Sequence, residues 1–393
     1  MILLEVKYNM KNKKKLLSIS ILSILVLLVI GGVVYYNIAP YYKKIYSAKM
    51  WFNVEETKNE KMLLDFVSNK LIGEGGGVHT NYINENSDGD ITKGHAVLSE
   101  SQGIMLLYDL EKNDKENFDV TLDYIKNNMM LPSNLLSWRV DKDEETKTSA
   151  TIDDLRVIKA LLLADEKWDN KEYRKLALKI AKGIQKESLD KEDYVLTDFY
   201  DGYNKSDTTT LCYLDLPTLR MLANLDYYSW KKVYDKSAEI LNGGYISDEL
   251  PLYRKTYYRN TNSYDNNKDA DTLLSMIVVL NKLQEGQDVS TTIEWIRKEF
   301  QYNGKIFATY NIEDGTPSSE FESTSAYAMM VQIASIIGDE EIQKFAMNRM
   351  KEFQIQNKNS EVYGGFGSED GTNVFSYDNL NALLAYRYYR VNE

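Results

Sequence analysis

Two hydrophobic patterns divide this chain. Leu16 to Val34 is an unbroken run without a charge. From about Ala48 onward, apolar residues instead recur three and four positions apart, the spacing of amphipathic helices. In Asp153 to Trp168, Leu155, Ile158, Leu161, Leu162 and Ala164 recur at helical spacing, and Thr151 stands where an N-cap is expected. The same spacing predicts helices over Lys61–Leu71, Ser99–Leu110, Asn117–Asn128, Glu172–Gln185, Leu216–Asp226 and Ser229–Leu241. It predicts five more over Asp269–Leu283, Thr291–Phe300, Ser323–Ile337, Glu340–Gln356 and Tyr377–Tyr389. Strand signals are few and short. The stretches between helices, such as Asp198–Asp207 and Tyr257–Asn267, are rich in Gly, Asn, Asp and Tyr. No Pro- or Ser-rich linker interrupts the series, and no close sequence repeat is visible. The pattern predicts an all-α domain of about twelve helices in consecutive pairs. Long polar loops before alternate helices fit a closed ring of helical hairpins with a cleft at one end.

The apolar run of 19 residues is long enough to cross a hydrocarbon core. Lys11, Lys13, Lys14 and Lys15 precede it and favour a cytoplasmic N-terminus. A cleaved signal peptide is the competing reading, but its apolar region is normally shorter, and Gly31 to Tyr36 offers only a poor cleavage site. The expected organisation is therefore a basic cytoplasmic segment, 1–15, and an uncleaved signal anchor, 16–36. A linker, 37–55, would lead to one domain, 56–393, outside a single-pass cell membrane.

Composition narrows the chemistry. Of 393 residues, 43% are apolar and 27% charged, values of a folded globular chain. The 30 Tyr and 5 Trp suit a groove that stacks on sugar rings, and equally suit helix packing. The single cysteine, Cys212, excludes an intramolecular disulfide and reads as a buried thiol within Leu211–Leu214. Only two histidines, His79 and His95, are present, without helical ligand spacing, so no metal or other cofactor is expected. No Gly-x-Ser-x-Gly elbow supports a serine hydrolase. Net charge is −12, and Met1 to Ile45 carry seven Lys and one Glu, which leaves −18 on the rest. Such a domain does not grip nucleic acid through phosphates, and a neutral or cationic substrate fits it better.

Acids at predicted helix starts are the candidate chemistry. Glu100 lies in Leu98-Ser99-Glu100-Ser101-Gln102-Gly103, behind Ser99 as a prospective N-cap. Asp153 and Asp154 lie in Ser149-Ala150-Thr151-Ile152-Asp153-Asp154-Leu155, and Asp265 in Ser263-Tyr264-Asp265. Taken singly, the first three are also what a helix dipole attracts, and Asp265 could mark a solvated turn.

In combination these segments resemble glycoside hydrolase family 8, the bacterial endoglucanase family with an (α/α)6 barrel. Ser99-Glu100-Ser101-Gln102-Gly103 matches its Ser-Glu-x-x-Gly element. Ala150 to Leu155, continuing without gaps to Ala164–Trp168, is similar to its Ala-Ser/Thr-Asp-Ala/Gly-Asp element and the run ending Ala-x-x-x-Trp. Tyr264-Asp265-Asn266-Asn267-Lys268 resembles its Tyr-Asp-x-x-Arg element, and order and spacing agree over roughly Asn81 to Tyr389. Two positions depart: Ile152 replaces the first Asp of the second element, and Lys268 replaces an Arg, losing a planar bidentate donor.

The resemblance implies an inverting hydrolase with Glu100 as general acid and Asp265 as general base, at the roughly 6.5–9.5 Å separation of such pairs. It assigns sugar binding at the cleavage point to Asp154 or Asp153, with Tyr264 and Lys268 beside the base. Trp138 is a candidate stacking platform, and Tyr203 and Tyr213 are weaker ones. The implied activity is an endo-β-1,4-glucanase acting on a cellulose-like β-linked polysaccharide. With the anchor it would trim a secreted exopolysaccharide beside a membrane polysaccharide synthase complex. Chitosanase, lichenase or xylanase activity, a non-catalytic glycan-binding role, and a polysaccharide lyase are the alternatives.

Overall fold

A computed structural model describes residues 2–47, 49–84, 94–141 and 146–390. Two units form, Met1–Ile45 and Tyr46–Glu393. The first is the helix α1 (Ile2–Tyr42), whose apolar part, Lys13–Tyr42, spans 30 residues. At 1.5 Å per residue that is about 45 Å, more than a bilayer core requires.

The second unit contains, among its described residues, α2 (Lys58–Phe66), α3 (Ser99–Lys112), α4 (Lys115–Tyr124), α5 (Thr151–Trp168), α6 (Lys171–Gly183) and α7 (Leu216–Leu225). They continue as α8 (Tyr227–Gly243), α9 (Thr272–Gln284), α10 (Ser290–Asn303), α11 (Thr324–Ile337), α12 (Glu340–Glu352) and α13 (Ser376–Tyr386). The odd-numbered helices from α3 to α13 pack in succession, and α13 returns to α3 and closes the ring. Inner helices are buried around most of their circumference: in α11 every residue from Ser325 to Ala334 is buried. Outer helices are amphipathic, as in α6, which buries Tyr173, Ala177, Ile180 and Ala181 at helical spacing. The all-α (α/α)6 expectation is met.

Short antiparallel pairings gather where inner helices begin. β1 (Val97–Leu98) pairs with β2 (Arg139–Val140) and runs directly into α3. β3 (Thr208–Thr210), β4 (Thr256–Tyr258) and β5 (Ser263–Tyr264) form a three-stranded sheet ahead of α7 and α9. β6 (Asp269–Asp271) pairs with β7 (Thr309–Asn311) and runs into α9. The helix expected from Asp269 therefore starts only at Thr272, because Asp269–Asp271 is held as strand and Asp271 caps Leu274 N–H at 2.8 Å.

Two expected caps are corrected. Leu98 and Ala150 occupy the N-cap positions of α3 and α5, without a side-chain cap. Ser99 and Thr151 are instead the first helical residues. Their hydroxyls reach across to neighbours: Ser99 Oγ donates to Asp153 Oδ2 at 2.7 Å, and Thr151 Oγ1 donates to the Thr197 carbonyl at 2.6 Å. The first bond ties the start of α3 to α5, and the second ties the start of α5 to the loop at Thr197.

At the opposite end of the ring, Tyr46, Ser47, Lys49 and Met50, part of the stretch expected as a linker, line a second cavity with Leu163, Met221 and Leu283. There Lys49 pairs with Glu111 inside the protein, flanked by the rings of Trp51, Phe52 and Tyr388.

Candidate active site

The N-terminal ends of the inner helices surround a cavity of about 400 Å³. Glu100 from α3, Arg156 from α5, Tyr213 from the turn before α7, and Tyr377 and Asp378 from α13 line it, over an apolar floor that includes Ile152 and Ile277. Ring closure brings these residues together: α13 packs on α3, and Ser101 and Ser376 share a hydrogen bond of 2.8 Å that fixes their register. Gln102 ties the same turn of α3 to the preceding loop, accepting from Val78 N–H at 2.9 Å and donating to the Gly76 carbonyl at 3.1 Å.

Burial pushes the Glu100 carboxyl up to about 7, and the charge of Asp153 adds to the effect. Arg156 opposes both, and Asp378 contributes further in the upward direction. A carboxyl near 7 is half protonated at neutral pH, which suits a group that must give a proton to a leaving oxygen. Asp153 is held rigidly: Oδ2 accepts from Ser99 and Oδ1 from Arg156 Nη1 at 2.7 Å. Arg156 thereby stands between two carboxylates.

Gly103 explains the glycine of the Ser-Glu-x-x-Gly element. A Cβ placed there would meet Arg156 Cδ at 3.0 Å and Cγ at 3.2 Å, so the Arg156 stem lies against bare α3 backbone. Gly103→Ala is expected to leave the melting temperature nearly unchanged, since the helix propensity gain of about 1 kcal/mol offsets the crowding. It is expected to lower kcat/KM by about tenfold, the factor for about 1.4 kcal/mol of lost transition-state stabilisation, by displacing the guanidinium. Thermal melts and initial rates check both halves, and an unchanged rate would show that Arg156 need not stay in place.

The sequence profile of glycosyl hydrolases family 8 matches residues 69–249, which carry Glu100, Asp153 and Arg156. The chain belongs to glycosyl hydrolase family 8. The family 8 chain is similar to a solved structure of a novel alpha-amylase from Clostridium perfringens, at 47% identity and a TM-score of 0.81, over 85% of this chain and 98% of that one. It shares its fold with the endoglucanase Cel10, a family 8 glycosyl hydrolase from Klebsiella pneumoniae. That match has 14% identity and a TM-score of 0.59 over 82% of this chain and 97% of the other. YdaJ of Bacillus subtilis, named a lipoprotein, is 28% identical over 325 residues, 82% of this chain and 85% of its own.

In this family 8 hydrolase the candidate residues are distributed unevenly. Glu100 and Tyr213 line the cavity, and Asp153 lies behind it on Arg156. Asp154 points elsewhere: its Oδ1 accepts from Leu136 N–H at 2.8 Å, and burial holds its carboxyl well above the usual range. Asp265 is not in the cavity lining and is not in a solvated turn. It is 6% exposed, with Oδ2 accepting from Thr256 N–H at 2.6 Å and Oδ1 from Asn267 N–H at 3.1 Å. The carboxylate thus fastens the loop after β5. Tyr264 packs behind it, donating to the Ile240 carbonyl at 2.7 Å, and Lys268 is exposed. Neither joins the cavity lining. Trp138 lies outside the lining too, with the Arg139 guanidinium 5.2 Å from its ring centre, and Tyr203 is 80% exposed. Cys212 is buried, and desolvation pushes its thiol up to about 12, which keeps it protonated.

Arg156, Tyr377 and Asp378 were not legible as site residues by helical patterning. Arg156 carried one signal, its position three residues after Asp153 on the same helix. Asp378 carried another: Ser376-Tyr377-Asp378-Asn379 repeats the tetrapeptide Ser263-Tyr264-Asp265-Asn266. The second copy, at the start of α13, is the one that reaches the cavity.

Proposed function

We propose that this chain is a membrane-anchored hydrolase of α-1,4-linked glucan, with Glu100 as the acid that protonates the departing oxygen. The observation that carries the substrate class is the 47% identity, over nearly the whole length of the other chain, to an alpha-amylase. Ile152 supports a substrate different from a cellulose-like one. It lines the cavity at the position where the family's second element has a carboxylate, so an acceptor is lost beside the bond to be cleaved. The aromatic walls, Tyr213, Phe375 and Tyr377, suit a sugar ring. The basic residues Lys11 to Lys15, ahead of the apolar run of α1, would stay in the cytoplasm and the domain outside, where polymeric glucan is accessible.

A β-1,4-glucan is the second reading, favoured by the family 8 profile match. Incubation with amylose, soluble starch, carboxymethylcellulose, lichenan, xylan and chitosan separates the two. Reducing ends are expected from amylose and starch, with NMR detecting the product anomer. Release from carboxymethylcellulose or lichenan alone would overturn the α-glucan reading, and binding without turnover would overturn the hydrolase.

A further inference from the structure

An inverting hydrolysis needs a second carboxylate that is open to the cavity and able to hold water. Asp153, Asp154 and Asp265 are not in the cavity lining, and Asp153 is engaged by Ser99 and Arg156. Asp265 has both oxygens on backbone N–H groups, and Asp154 faces Leu136. Asp378 differs. It lines the same cavity as Glu100, from the helix that packs against α3. Its Oδ1 accepts both Ser325 N–H, at 3.2 Å, and Ser325 Oγ, at 2.6 Å. Oδ2 receives no donor from the described residues. The carboxylate is therefore fixed by one oxygen and free at the other. It also sits in the first turn of α13, where the helix dipole favours a negative charge.

We propose that Asp378 is the base that activates the attacking water. The assignment rests on Glu100 as the acid. Water oxygen bonds to the anomeric carbon while that carbon's bond to the leaving sugar oxygen breaks. The water proton passes to Asp378 Oδ2, and the Glu100 proton passes to the leaving oxygen, so the two carboxyl groups exchange protonation states. Burial raises the Asp378 carboxyl, and the two Ser325 donors oppose that rise and favour its ionised form. Among the described residues no hydrogen-bond donor reaches the Glu100 carboxyl.

The test uses Glu100→Gln, Asp378→Asn and Asp265→Asn in the full-length chain, each assayed on amylose and on α-maltosyl fluoride. Fluoride departs without acid help. Glu100→Gln is expected to lose amylose hydrolysis and keep fluoride hydrolysis. Asp378→Asn is expected to lose both, by about 10²–10⁴-fold, with azide restoring turnover as a glycosyl azide of inverted configuration. The Asn amide oxygen still accepts from Ser325, and an unchanged circular dichroism spectrum separates lost chemistry from lost fold. Asp378→Asn turning over the fluoride within a few-fold of the parent would overturn the proposal, and loss confined to Asp265→Asn would move the base there. Full amylose activity in Glu100→Gln would instead overturn the acid assignment on which the proposal stands.

Discussion

Replacing Glu100 with Gln is expected to lower glucan hydrolysis by about 10²–10⁴-fold and at the same time to raise the melting temperature at neutral pH. The two effects have one origin. The carboxyl lies near 7 in the folded chain, against an ordinary value of 4.5. Between those values the folded state binds more protons than the unfolded state, so stability falls as pH rises through the interval. Full burial over that gap corresponds to about 3 kcal/mol, and the opening onto the cavity makes the real figure smaller. Gln carries no charge and removes the penalty. Melting curves at pH 4.5 and pH 8 are expected to show a stabilisation by Glu100→Gln at the higher pH that is nearly absent at the lower. Equal differences at both would show that Glu100 titrates normally. In the parent enzyme, kcat/KM is expected to fall on the alkaline side with an apparent midpoint of about 7, as the acid loses its proton.

Arg156→Met is expected to destabilise the fold by about 3–5 kcal/mol, the range for removing one member of a buried ion pair. The Arg156 and Asp153 side chains are 13% and 6% exposed and meet at 2.7 Å. Without the guanidinium, Asp153 and Glu100 repel across a poorly hydrated space, and one must take up a proton. Glu100 loses its main downward influence, so the alkaline limb of activity moves to higher pH as stability falls. Urea unfolding measures the first effect and the pH profile the second. The double variant Asp153→Asn/Arg156→Met is expected to recover part of the loss, because the two positions act as one unit. Simple additivity would mean that the pair is not coupled.

Family membership was legible in the region that the profile matches, where Ser99–Gly103 and Ala150–Trp168 run without gaps. Glu100 was legible because a carboxylate at an inner-helix start keeps its local context wherever the rest of the ring lies. Asp153 and Asp154 were not separable. They are adjacent, and successive residues on a helix point about 100° apart, so one turns to Arg156 and the other to the Leu136 loop. Asp265 shows the converse. Its Tyr-Asp context reads as a site, while the fold sets it outside the cavity lining with one backbone N–H on each oxygen.

Local pattern was enough for the apolar run of α1, for twelve amphipathic or apolar helices and for the placing of Glu100 at a helix start, because each depends on residues within a few turns of one another. Which acids share a cavity depends on long-range packing. Glu100 and Asp378 lie at opposite ends of the domain's sequence, and the closing contact of α13 on α3, pinned by Ser101 and Ser376, puts them on one cavity. Hydrophobic periodicity sets which face of each helix is buried, but it carries no record of which helix start lies beside which. Packing around the closed ring supplies that.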